Sequence, residues 1–231
     1  MRKLASPAVI AGLLSFNGGF VDTAGFLGLH GLFTAHVTGN FVTLGAALVL
    51  GSHGIISKIL ALPVFIAVIA LARLAGAALR KREKPVLRIL LSAEVTLLAA
   101  FFLLAVIFGP FEDPDTLAAL LTGFAGIAAM ALQNAVQRVH LASLPPTTLM
   151  TGSTTQATID AVDLLSGGDP ENAAVIRARL GRLAFSILYF AAGCAAAALL
   201  YWLAGFWCLA VPVIVGAVAA LMRAEATPPR P

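Results

Sequence analysis

At 231 residues, with 60% hydrophobic side chains, 11% charged and a mean hydropathy of +0.96, the chain has too little polar surface to cover a soluble core. A bilayer supplies the missing cover; the length admits roughly six spans of about 20 residues, which excludes a separate soluble catalytic domain. The net charge of +4 would suggest nucleic acid in a soluble protein, but the Lys and Arg fall in short connections where they orient spans, and nucleic acid is not an expected partner.

In chain order, the basic start Met1-Arg2-Lys3 leads into an apolar segment over residues 8–29 that holds Asn17 and Asp22 and has no convincing cleavage site, so it reads as a retained span. Long apolar segments follow over 56–79, 87–109, 116–137, 182–204 and 206–222. Two shorter ones, 38–51 and 150–165, open at Thr38-Gly39-Asn40 and Thr151-Gly152-Ser153 and carry too many polar groups to face lipid. The second triplet lies 113 positions after the first and in the same place relative to the long segments, which marks a duplication.

If the two short segments do not cross, 13 of the 15 Lys and Arg are cytoplasmic, with Lys58 outside and Arg73 within a span. Making both short segments cross moves either the Arg80 to Arg88 cluster, or the termini and the Arg177 to Arg182 group, to the wrong side. Three spans per half then force the second half upside down relative to the first. The expected fold is an all-α polytopic membrane protein: one membrane domain over 1–231, made of inverted repeats 1–110 and 111–231. Each repeat has three transmembrane helices and a re-entrant half-helix starting at its triplet. The extended stretches before the triplets are long enough to reach the midplane, where irregular backbone is tolerated only if it is buried in protein or lines a wet cavity. The membrane expected is the bacterial cytoplasmic (inner) membrane, with both termini inside.

The triplets suit a binding role. Thr38 and Thr151 are expected N-caps, Gly39 and Gly152 let a solute approach the backbone, and Asn40 and Ser153 add donors and acceptors in a first turn whose unpaired N–H groups favour anions. Among other polar residues at membrane depth, Asp22 is the expected proton- or ion-coupling group. The repeat offset sets it beside Asn134, in the cluster Gln133-Asn134 with Gln137 and Arg138 a turn on. Gln156, Asp160 and Asp163 share a helix face; Gln156 is expected to line a path, Asp160 to share in coupling and Asp163 to be solvated. Glu94 and Arg73 are expected to form a structural ion pair. His30, His36, His53 and His140 have no metal-ligand spacing, and Cys194 and Cys208 read as packing residues, so no metal or cofactor is expected. Nucleotide-binding and hydrolase motifs are missing from the sequence.

Two paired runs, Gly19 to Leu27 with Leu32 to Asn40, and Met130 to Asn134 with Thr147 to Asp160, resemble the signature of the bacterial YoaK-like membrane proteins over nearly the whole chain. The resemblance implies an integral membrane protein and no substrate. Where that pattern has a second TGN, this chain has Thr151-Gly152-Ser153.

These readings together point to a transporter or channel for a small polar or anionic solute, bound between Thr38, Gly39, Asn40, Thr151, Gly152, Ser153, Gln133, Asn134 and Gln156. Its partners are that solute and the lipid bilayer, with homo-oligomerisation left open. The alternatives are an intramembrane enzyme or lipid- or cofactor-binding protein, and a non-transporting assembly or sensor subunit. Cysteine accessibility labelling is expected to find positions 52–54 and 112–115 reactive from outside, and 80–84, 167–172 and the C-terminus only from within; cytoplasmic labelling of 52–54 would overturn the re-entrant reading.

Overall fold

Backbone groups in hydrocarbon must bond within their own segment, and the Ala-, Leu- and Val-rich runs of this chain do so as helices. The computed structural model describes residues 7–167 and 172–222, and every regular element among them is helical. The elements are α1 (Pro7–Gly28), α2 (Gly39–Leu50), α3 (Ile55–Lys81), α4 (Val86–Phe108), α5 (Leu117–His140), α6 (Met150–Leu165), α7 (Ala173–Ala204), a 3-10 turn (Gly205–Leu209) and α8 (Ala210–Leu221). The basic residues Arg2, Lys3, Arg223 and Arg230 and the connection at 168–171, part of the labelling target, lie outside the described residues.

Among the described residues, five helical stretches are long and apolar enough to cross a membrane: α1, α3, α4, α5 and the continuous run Ala173–Leu221. The chain is therefore built as a multi-pass helical membrane protein. The last run has 49 residues, about 74 Å at 1.5 Å per residue and far more than one bilayer crossing. It breaks at Gly205, whose φ of +54° suits a residue without a side chain. The expected gap between the apolar segments 182–204 and 206–222 falls at this glycine. The largest boundary difference is at α7, which starts at Ala173 rather than at 182, because Ala, Arg and Leu are strong helix formers and the helix outruns its apolar stretch.

Two core clusters mark the ends of the bundle. Phe20, Ala61, Phe101, Ala119, Ala197 and Leu209 belong to one; Ile10, Ala72, Leu90, Val136 and Ala219 belong to the other. Thus α1, α3, α4, α5 and α8 each reach from one cluster to the other. The first end is tied by polar contacts. Asp115 accepts from the N–H groups of Ile56 and Ser57 at the start of α3, and the buried Lys58 ammonium donates to the carbonyls of His30 and His53.

The helix partners exchange between the halves. α1 packs against α7 and α8, α5 packs against α3 and α4, and α4 meets α8. Each half's first helix is thereby inserted into the other half's last pair. In the apolar windows of α1 and α5, 72% and 67% of residues are buried, against 22% and 33% for α3 and α4. These two central helices are also the least apolar spans, as expected of helices that are shielded from lipid.

Glycines set the closest approach. A Cβ on Gly19 would overlap the Phe190 carbonyl of α7, and a Cβ on Gly193 would overlap the Phe16 carbonyl of α1, so the two backbones meet reciprocally. Ser15 and Ser186 share a hydrogen bond of 2.8 Å along the same seam. Gly193→Val should force α1 and α7 apart and destabilise the protein by roughly 1–3 kcal/mol or more, whereas Gly181→Ala, on the same helix with open space around it, should be neutral or slightly stabilising. Thermal unfolding in detergent followed by size-exclusion fluorescence checks the contrast; equal melting of the two variants would contradict it.

Candidate functional site

After α1 the chain turns back into the bundle over residues 29–38, and this stretch has no ladder to satisfy its backbone. Asp22 supplies the acceptor. Its Oδ1 receives the N–H groups of Thr34 at 2.8 Å, Ala35 at 2.7 Å and His36 at 3.2 Å, with the Thr34 hydroxyl at 3.5 Å. The Thr34 hydroxyl also donates to the Val21 carbonyl. The carboxylate expected to couple ions is therefore also the latch of the first loop.

The second half ties its loop by side-chain hydroxyls and neutral amides. After α5, the loop over 141–149 is held by Gln133, whose Nε2 donates to the Leu14 carbonyl and to the Thr147 hydroxyl, and by Asn134, whose Oδ1 accepts from the Thr148 hydroxyl at 2.7 Å. Partners lie 12 to 14 residues apart in the first half and 14 in the second.

The two triplets meet different fates. Thr38 has helical backbone angles and makes no capping bond, contrary to expectation. The N–H groups of Gly39, Asn40 and Phe41 are taken by the carbonyls three residues back, so the start of α2 is closed. Asn40 is buried and spends both ends of its amide on Phe33, accepting its N–H at 2.9 Å and donating to its carbonyl at 2.8 Å. Thr151 is no cap either, because α6 begins one residue earlier with extended Leu149 at the cap position and no side-chain cap. The first turn of α6 is thus left open, and the Ser153 hydroxyl, 4% exposed, has no partner.

That open turn lines a cavity of about 560 Å³ with Thr151, Gly152, Ser153 and Gln156 on one side and His36, Arg138, Pro146 and Leu149 around the rest. The structure gathers the second triplet here with the tip of the first loop, and does not bring Thr38, Gly39 or Asn40 to the wall. His36, read from the sequence as packing or surface, and Arg138 are the wall's cationic and titratable members. The only sequence signal for His36 was its place in the loop before the triplet. Asn134 faces an adjoining cavity of about 330 Å³ that shares Arg138, Pro146 and Leu149, while Gln133 is buried behind Thr147.

A family model described as a protein of unknown function, DUF1275, matches residues 10–222. The chain belongs to that family. No curated protein and no solved structure matches it.

The charged pairs of this DUF1275 member differ from expectation. Asp160 is fully buried and engaged by the Arg179 guanidinium at 2.6 and 2.8 Å, with Gln156 Nε2 adding a third bond at 2.8 Å. The Arg179 hydrogen bonds hold its carboxyl below the usual carboxylate range. Asp163 is exposed, as expected. Glu94 and Arg73 do not pair: Arg73 is exposed on α3, Glu94 is 1% exposed on α4, and both Glu94 oxygens lack partners. α3 and α4 touch only lightly, so neighbouring charges in the sequence point to different surroundings.

Asp22→Ala should leave three loop N–H groups without an acceptor at about 1–3 kcal/mol each and should lower the melting temperature sharply. Asp22→Asn keeps one carbonyl oxygen at the same place and should retain most of the stability. Hydrogen exchange of the 34–36 amides separates them: fast exchange in the alanine variant alone is expected, and unchanged protection in both would show that the latch is idle.

Proposed function

We propose that this DUF1275 protein is a membrane transporter or channel for a small polar or anionic solute, and that it lies in the bacterial cytoplasmic membrane with both termini inside. The finer architecture belongs to the same reading: six crossings arranged as two inverted repeats, with α2 and α6 as re-entrant half-helices and the family likeness extending to YoaK-like proteins. The exchange of helix partners between halves and the matched side-chain latches on the two loops support it.

One observation carries the solute class. The uncapped first turn of α6, the unpartnered Ser153 hydroxyl, Arg138 and His36 share a single cavity wall. Helix N–H groups, a guanidinium and a hydroxyl together recognise an anion or a strongly polar group. The ion pair found among the described residues, Arg179–Asp160, leaves Arg138 free to meet a ligand. Asp22 couples through the first loop in this reading: loss of its charge weakens the bonds that hold His36 at the cavity.

A second reading has its own observation. The adjoining cavity of about 330 Å³ is mostly apolar and carries Arg73, Arg80, Arg138 and His140, a combination that suits a lipid with an anionic headgroup. Co-purified anionic lipid that blocks no flux would favour it.

The test is uptake into proteoliposomes of a panel of small anions, chloride, phosphate and short carboxylates, with glycerol as the neutral comparison. Saturable uptake of an anion is expected. Gly152→Leu should abolish it, because a side chain there meets nothing within 4 Å and projects into open space without disturbing the fold. Arg138→Gln should weaken apparent affinity by about tenfold or more, the value of a charged hydrogen bond. Ser153→Asn should be tolerated. Unchanged flux in Gly152→Leu would sink the proposed route.

A further inference from the structure

Glu94 is buried in the bundle with neither carboxyl oxygen partnered, an arrangement the loop latches and the anion cavity do not explain. It shares the buried face of α4 with Leu90, Leu98 and Phe101, at helical spacings of four and seven residues. Leu98 places that face. Its Cδ1 lies 3.1 Å, and the Asn17 Nδ2 3.3 Å, from the point where a Cβ on Gly216 would sit, so α1, α4 and α8 meet within one turn of Glu94.

The groups around that junction are short of donors. Asn17 is buried and gives its amide N–H to the Pro212 carbonyl at 3.1 Å, which leaves its Oδ1 unpartnered. Gln133, next along α1 near Gly18, repeats the pattern: its Nε2 serves Leu14 and Thr147, and its Oε1 has no partner. Buried polar atoms are normally satisfied, and four unpaired acceptor oxygens set against one remaining Asn17 N–H are completed by a species that brings a proton or a positive charge. The titratable groups on the elements packed against α4 are Lys58, Arg73, Arg80 and Lys81 on α3, Arg138 and His140 on α5, and Cys208 in the 3-10 turn; α8 has none. None of them forms a hydrogen bond or ion pair with Glu94.

We propose that Glu94 is a cation-exchange site of the membrane domain, taking up and releasing one positive charge, a proton or a small monovalent cation, with the Asn17 carbonyl oxygen as its neighbouring acceptor. Ionisable groups at such depth mark ion and proton pathways when they are not paired. Asp22 differs, since its oxygen is committed to the first loop.

The experiment needs no transported solute, so its failure and that of the transport reading are separable. Reconstituted protein is examined by infrared difference spectroscopy on changing pH, and on exchanging sodium for choline at fixed pH. A protonated-carboxyl band that titrates in the wild type and is lost in Glu94→Gln is expected, with its midpoint displaced in Asn17→Ala. Depletion of the same band by sodium but not choline assigns the cation as a competitor of the proton; a band indifferent to sodium assigns the proton alone. Superimposable pH and sodium difference spectra for wild type and Glu94→Gln would overturn the site.

Discussion

Backbone that leaves its helix inside a membrane protein finds no water to bond, and in this chain three consecutive N–H groups, those of Thr34, Ala35 and His36, find their acceptor on one oxygen of Asp22. That constraint explains why an acid sits in a span that needs no charge to fold as a helix. It also fixes where His36 can be. The loop tip is held at the cavity wall by a side chain 12 to 14 residues away along the chain. In the second half Gln133 and Asn134 hold the loop through the Thr147 and Thr148 hydroxyls instead, so the first loop is the one tied by a carboxylate.

The latches work only because the central helices are held close. α1 can reach both its own loop and the Gln133 amide because glycines bring its backbone against α7, and Gly18 leaves room for the Thr147 carbonyl and the Thr148 methyl group. The interlocking of α1 between α7 and α8, and the packing of α5 with α3 and α4, join the two halves through shared helix contacts. A cavity between their loops is then a consequence of the packing and needs no separate domain to form it.

Much of the helical layout was legible in the sequence because hydropathy and helix breakers act locally: the apolar runs return as α1, α3, α4, α5, α7 and α8, with the break at Gly205. The early start of α7 was not, since its first turns are polar and gain their partner, Asp160, from α6. Asp22 stood out as a charge in a span, but its partners lie across a loop and no periodicity links them. The Thr38 and Thr151 caps failed for a related reason. A Thr-Gly pair is a good local start signal, yet Asn40 bracing Phe33 and an earlier helix start at Met150 decided the geometry. The expected Glu94–Arg73 pair assumed that adjacent helices share a face, whereas one residue turns to the core and the other outward.

The two Thr-Gly triplets look alike in the sequence and differ in what their first turns leave open. The first triplet has been sealed: its N–H groups are used within the turn, Asn40 is spent on Phe33, and a Cβ on Gly39 would crowd the Phe33 ring at 2.9 Å. The second has been left open, with Leu149 in place of a capping side chain, Ser153 unpartnered and free space beside Gly152. The Ser153 hydroxyl faces that opening without a protein partner, whereas the Asn40 amide is used up within its own half. Rigidity in one half and exposed donors in the other are complementary, because a loop tip such as His36 can contribute to a cavity only if its own base does not move.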